Sequence, residues 1–180
     1  MAAQHLHLAP APTETGAILS AGSIIRVVLA DDHVLMRRTL RMLLDGEEGM
    51  EVIAEADDLA SVIRHVHAHQ PHVLVLDLNM PDGSGMETVS QLRERVVETQ
   101  IVVITMQDSP AFAQRAFACG ALGFVVKELA DEELPQAVRA AAQGEEYVSP
   151  RVAARINAAQ NLKVSQDRAP GRGGVPAGRP

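Results

Sequence analysis

Five side chains with chemical potential each close a mostly apolar run. Asp31-Asp32 follow Ile24–Ala30, Asp77 follows Val73–Leu76, Thr105 follows Ile101–Ile104, and Lys127 follows Leu122–Val126. Carboxylates at two strand ends are the makings of a cation site. At an effective dielectric of about 20, two like charges ~5 Å apart repel by roughly 3 kcal/mol, so three converging carboxylates call for a counterion. Oxygen-only ligands favour a hard divalent ion, Mg²⁺ with several waters retained. An acidic nucleophile, a metal, a hydroxyl and an ammonium are together what a phosphoryl acceptor needs. The carboxylate attacks, and the cations neutralise charge on the equatorial oxygens. Asp77 is assigned as the nucleophile because it is the solitary acid on the central strand.

For these residues to meet, the runs must be neighbouring parallel strands. The pattern alternates from Ile24: strands near 24–30, 51–55, 73–77, 101–105 and 122–126, and helices near 33–45, 58–69, 84–97, 110–119 and 131–143. Runs apolar on both faces are the habit of buried parallel strands. Five β-α units in strict alternation predict an α/β, doubly wound (βα)5 three-layer sandwich, and right-handed crossovers of this length fit the known flavodoxin-like parallel sheet order 2-1-3-4-5, to which the pattern is matched. Its switch point lies between strands 1 and 3, where Asp31, Asp32 and Asp77 converge. Ser109-Pro110 reads as a helix start, Gly120 and Gly144 as helix stops, and Pro81-Asp82-Gly83 as a turn.

At 180 residues with 47% hydrophobic content, the chain has material for one core, flanked by tails. Residues 1–23 read as a flexible leader, 24–150 as the domain, and 151–180 as a basic, Pro/Gly-rich tail or linker in which 151–160 carry some helical pattern. Residues 24–150 hold 10 Lys/Arg against 21 Asp/Glu, whereas the segment after Pro150 holds six basic residues against Asp167 alone. An acidic core repels phosphodiester backbones, and an aromatic content of 2% supplies few stacking platforms. Cys119 is the single cysteine, which excludes an internal disulfide and fits a reducing compartment. No stretch approaches the ~18 apolar residues of a membrane span, and no basic segment opens a signal peptide. A cytoplasmic protein without membrane attachment is expected.

From about Ile25 to Pro150 the chain resembles the receiver domain of bacterial two-component response regulators. The resemblance rests on Asp31-Asp32, on Asp77 followed by Met80-Pro81 and Gly85, on Thr105, and on Gly123-Phe124-Val125-Val126-Lys127. The wording of Leu29-Ala30-Asp31-Asp32-His33 and of Gly144-Glu145-Glu146-Tyr147-Val148-Ser149-Pro150 is similar to the NarL/FixJ subgroup, whose members usually carry a LuxR-type helix-turn-helix. The resemblance implies a sensor histidine kinase that phosphorylates Asp77. It implies Mg²⁺ held by Asp31, Asp32, Asp77 and the backbone carbonyl of Asn79, and homodimerisation as a family habit. It further implies a switch: Thr105 moves toward the phosphoryl oxygens, Phe124 turns inward, and the face formed by the fourth helix, fifth strand and fifth helix carries the output.

Three positions depart from the commoner family pattern. Phe124 replaces Tyr, Pro135 falls early in the last helix, where it is expected to shorten the first turn, and Glu128 stands where many receivers have Pro. A cis Lys127–Glu128 bond, if kept, would cost about 2.5 to 4 kcal/mol. The residues after Pro150 are too few for a helix-turn-helix reader, so DNA binding is not supported by this chain, and a shortened LuxR-type transcription regulator is the alternative reading. A haloacid-type phosphatase would want a second Asp at position 79, where Asn79 stands. His65, His67, His69 and His72 lack a completing ligand and read as a solvated helix end. His33 reads as a residue at the mouth of the first helix, and Asp108 and Glu87 as helix-start and solvent-facing charges.

Overall fold

The apolar runs form a parallel sheet because no water-facing side alternates with polar residues in them. The computed structural model of the chain describes residues 23–81, 85–95 and 98–167. The elements run β1 (Ile25–Ala30), α1 (Val34–Asp45), β2 (Met50–Ala56), α2 (Leu59–His69), β3 (Val73–Asp77), α3 (Gly85–Arg95), β4 (Gln100–Thr105), α4 (Pro110–Ala118), β5 (Gly123–Val126), a single 3-10 turn (Lys127–Leu129), α5 (Ala130–Ala142), β6 (Tyr147–Val148) and α6 (Pro150–Asp167). The strand order is β2-β1-β3-β4-β5-β6, all parallel. The expected doubly wound order 2-1-3-4-5 is present, with a sixth strand that the sequence pattern did not reveal.

Alternate residues of each strand feed two cores. Val27, Leu29, Val73, Val75, Val102 and Ile104 pack with Leu40 and Leu44 of α1 and Leu134 and Val138 of α5. Val28, Ala30, Leu74, Leu76, Val103, Phe124 and Val126 pack with residues of α2, α3 and α4. The three layers therefore close both faces of β3, whose five residues are all buried. Asp77 is held at the end of the best-covered strand.

Local signals worked unevenly. α2 starts on a reciprocal cap, with Asp58 accepting from the Ser61 N–H. At α4, Ser109 is the capping residue and Pro110 follows it, but the Ser109 side chain makes no capping bond, contrary to expectation. Pro135 lies buried inside α5 without shortening it, and the helix runs on to Ala142. The N–H that Pro135 lacks would have met the carbonyl of Asp131 in the first turn, where losing one bond disturbs little. The Lys127–Glu128 peptide is trans.

Gly85 starts α3 so close to Leu78 that a Cβ would stand 2.6 Å from the Leu78 Cα, so only glycine lets the helix sit against the segment leaving Asp77. Asp82 and Gly83 of the expected Pro81-Asp82-Gly83 turn, residues 1–22 of the expected leader and the basic residues from Arg168 onward lie outside the described residues. Beyond the helical pattern read at 151–160, Pro150–Asp167 is one helix, and Val152 is fully buried in the second of the two cores.

Candidate functional site: an acid notch at the ends of β1, β3 and β4

Asp31, Asp77 and Thr105 are each completely buried, and Lys127 is 8% exposed. The register explains their meeting. Ala30 pairs with Leu76 and Asp77 with Ile104, so the residues that follow β1 and end β3 and β4 share one rim. Thr105 pairs with Val126, which puts Lys127 one residue past the same rim.

The same small device recurs at all three strand ends. Asp31 Oδ1 accepts from the His33 N–H at 2.8 Å, Asp77 Oδ1 from the Asn79 N–H at 3.0 Å, and Thr105 Oγ1 from the Gln107 N–H at 3.2 Å. A side-chain oxygen that binds the amide two residues on turns the chain sharply and fixes its own rotamer. In both aspartates this leaves the second oxygen pointing into the notch, where Lys127 Nζ lies 2.7 Å from Asp31 Oδ2 and 2.7 Å from Asp77 Oδ2. Burial pulls the Lys127 ammonium down, but the hydrogen bonds and charges of Asp31 and Asp77 outweigh it and leave its pKa raised above the ordinary 10.5. Arg37 reinforces the rim by donating to the Asp31 carbonyl at 2.5 Å while pairing with Glu55.

The residues present fit a divalent cation. One oxygen or nitrogen from each of Asp31, Asp32, His33 and Asp77 lies within 4.8 Å of the others. Asp31 Oδ2 and Asp32 Oδ1 are buried without a hydrogen bond of good geometry among the described residues, and they make ion-pair contacts to Lys127 and to His33 Nδ1, the latter at 2.8 Å. Three carboxylates less one ammonium leave a local charge of −2, which one divalent ion balances. Oxygen donors of this kind suit Mg²⁺ better than a softer metal. The notch opens at Asp32 and His33, whose side chains are 26% and 69% exposed.

The sequence-derived set is thus brought together: Asp31, Asp32, Asp77, Thr105 and Lys127 share the notch, and Asn79 contributes its N–H to Asp77. Phe124 is fully buried within the core on β5, so its expected inward turn has no outward starting point in this structure. A phenyl ring without a hydroxyl has nothing to gain from the surface. His33 stands at the start of α1, where its side chain makes no capping bond and instead touches the acid pair. Asp108, read as a helix-start charge, pairs with Arg151 and Arg155 of α6. Only the opposite charge of the segment after Pro150 hinted at that pairing. Ser149 donates to Glu133 at 2.5 Å in a buried contact with no sequence signal. Neighbouring His65 and His69 stack at 5.6 Å on α2, with no third ligand among the described residues.

A doubly wound sheet with a buried acid–lysine notch beyond the ends of its central strands defines a phosphoacceptor signalling domain. The description "response regulator receiver domain" matches residues 27–139, and the chain belongs to that family, in its NarL/NreC-type group. It is 37% identical over 152 residues to the oxygen regulatory protein NreC of Staphylococcus epidermidis, covering 81% of this chain and 70% of that protein. With the nitrate/nitrite response regulator NarP of Escherichia coli it shares 40% identity over 127 residues, covering 71% of this chain and 59% of NarP. Among solved structures, a LuxR-family two-component response regulator from Aurantimonas superposes with TM-score 0.74 at 34% identity, over 77% of this chain and 99% of that one. The chain is therefore a two-component signalling protein. No helix among the described residues is long and apolar enough to cross a membrane.

Proposed function

We propose that Asp77 is the phosphoacceptor and that a sensor histidine kinase is the donor. The observation that carries this is the Lys127 bridge: a buried ammonium shared by Asp31 and Asp77 fixes the position of the acceptor carboxylate and stands within reach of a phosphoryl oxygen placed on it. An Asp77 carboxylate oxygen attacks the phosphorus of a phosphohistidine, the new O–P bond forms as the N–P bond breaks, and the imidazole nitrogen keeps the electron pair and takes up a proton. Asp31, Asp32, Asp77 and the Asn79 carbonyl would hold Mg²⁺, which would supply positive charge to offset that gathered on the phosphoryl oxygens. The Thr105 hydroxyl donates to one of those oxygens. Phe124, already inward, keeps β5 packed against α4 through the change. Val34 and Leu35 open α1 exposed beside the acid pair and offer the donor protein an apolar landing. A cytoplasmic location accompanies this reading, and the output passes through protein contacts on α4, β5 and α5.

The chain should take up one labile, hydroxylamine-sensitive phosphoryl group from acetyl phosphate in a Mg²⁺-dependent reaction, read by intact mass. Asp77→Asn should take up none. Stoichiometric labelling of Asp77→Asn would overturn the assignment, and sustained turnover of phosphomonoesters would replace it with a phosphatase.

A further inference from the structure

The mouth of the notch carries a nitrogen donor that the acceptor chemistry does not use. His33 takes the capping position of α1, yet its side chain makes no capping bond and is 69% exposed. A serine, threonine, asparagine or aspartate would stabilise that helix start better, so the helix alone does not account for the imidazole.

The ring turns back onto the acid pair instead. Its Nδ1 lies 2.8 Å from Asp32 Oδ1 and 3.6 Å from Asp31 Oδ1. Around an ion with bonds of about 2.1 Å, neighbouring donors stand about 3.0 Å apart in an octahedron and about 3.4 Å apart in a tetrahedron. The two separations bracket both values. Asp77 completes the set, since one donor atom from each of Asp31, Asp32, His33 and Asp77 lies within 4.8 Å of the rest. The backbone of His33 is tied to the same site, its N–H donating to Asp31 Oδ1 at 2.8 Å, so the place of the ring relative to the acids is fixed before any ion arrives. Asp31 is completely buried, and its Oδ2, like Asp32 Oδ1, lacks a hydrogen bond of good geometry among the described residues, which leaves both oxygens free to accept a cation.

We propose that His33 is a metal-selecting residue: with Asp31, Asp32 and Asp77 it gives the notch an imidazole–carboxylate donor set that takes a borderline divalent ion, Zn²⁺ or Co²⁺, in preference to Mg²⁺. This rests on the notch being the divalent-cation site beside Asp77. The three carboxylates by themselves suit Mg²⁺, which gives up its waters reluctantly and gains little from a ring nitrogen. Imidazole suits Zn²⁺ and its neighbours, and for mixed nitrogen and oxygen sites affinity rises from Mn²⁺ through Co²⁺ and Ni²⁺. One nitrogen among the oxygens therefore decides which ion wins in competition.

The test is titration of the full chain with Co²⁺, Zn²⁺ and Mg²⁺, each metal alone, by isothermal calorimetry, with the visible absorption of bound Co²⁺ read in parallel. The unaltered chain should bind Co²⁺ and Zn²⁺ more tightly than Mg²⁺. His33→Gln should weaken Co²⁺ and Zn²⁺ by at least about 10-fold, the low end of what even an outer partner of a metal ligand contributes, and leave Mg²⁺ within about 2-fold. The Co²⁺ bands should change in the same variant, because a nitrogen leaves the coordination sphere. An H65A/H69A variant, which removes the stacked pair of α2, should keep the tight Co²⁺ site. Loss of that site in H65A/H69A, or equal effects of His33→Gln on all three metals, overturns the selecting role alone. Isotherms that Asp77→Asn leaves unaltered for every metal remove the cation site itself, and the role of His33 with it.

Discussion

The notch and the α6 contact are both carboxylates facing cations, yet they differ in solvent. In the notch, Asp31 and Asp77 are entirely buried around a nearly buried Lys127. At α6, Asp108 is 34% exposed and its arginines half-exposed. Taking charges out of water is costly, and such a group persists only with its partner in place, whereas an exposed pair forms and breaks at little cost. The buried cluster is therefore built to hold charge at one point for chemistry. The exposed cluster adds little to stability.

The sharpest way to break that contrast is to delete one partner from each side. Lys127→Ala leaves two buried carboxylates without their ammonium and should cost about 3 kcal/mol of unfolding free energy in chelator, with part recovered on adding Mg²⁺. A loss below about 1 kcal/mol in urea unfolding would mean that the notch is wetter than its burial shows.

The two regions should also fail at opposite ends of the pH scale. The Lys127 pKa is raised by folding, so its contribution is complete below the ordinary 10.5 and is lost as pH rises through the higher folded value. The Asp108 pKa is lowered, first by the hydrogen bond from Arg155, so its contribution holds above the ordinary 3.8 and disappears as pH falls through the lower folded value. Alkali should thus lower the global unfolding midpoint, while acid should first release α6, seen as exchange at 150–158 ahead of the sheet. Simultaneous loss of both at either end would contradict the distinction.

The smallest expected effect is that of Arg155→Ala. Its global thermal midpoint should stay within measurement error, and a large drop would show that the α6 contact is stronger than its exposure allows.

Legibility followed the physics of each region. The strands were readable because apolar runs of strand length between turn residues have few other ways to bury themselves, and the order 2-1-3-4-5 was a match to the known flavodoxin-like arrangement, with which right-handed crossovers are compatible. Asp31, Asp32, Asp77, Thr105 and Lys127 were readable because each ends such a run. β6 was not, since Tyr147–Val148 is two residues long and owes its pairing to the open edge of β5. The Ser109 cap failed because a serine at a helix start still has to turn its hydroxyl inward. The segment after Pro150 read as a tail because its composition turns to Pro and Gly further on, which concealed the buried Val152.

By itself, the sequence determined which residues end strands, that the strands are parallel, and that acids, a hydroxyl and a lysine lie at their ends. Only the tertiary structure decided that Lys127 bridges Asp31 and Asp77, that the side chains of Asp31, Asp77 and Thr105 are each fixed by an amide two residues on, and that α6 returns to grip Asp108 and Glu128. The reason is range: strand character is set by neighbours along the chain, whereas an ion pair between residues 50 apart exists only once the sheet register has brought them within reach.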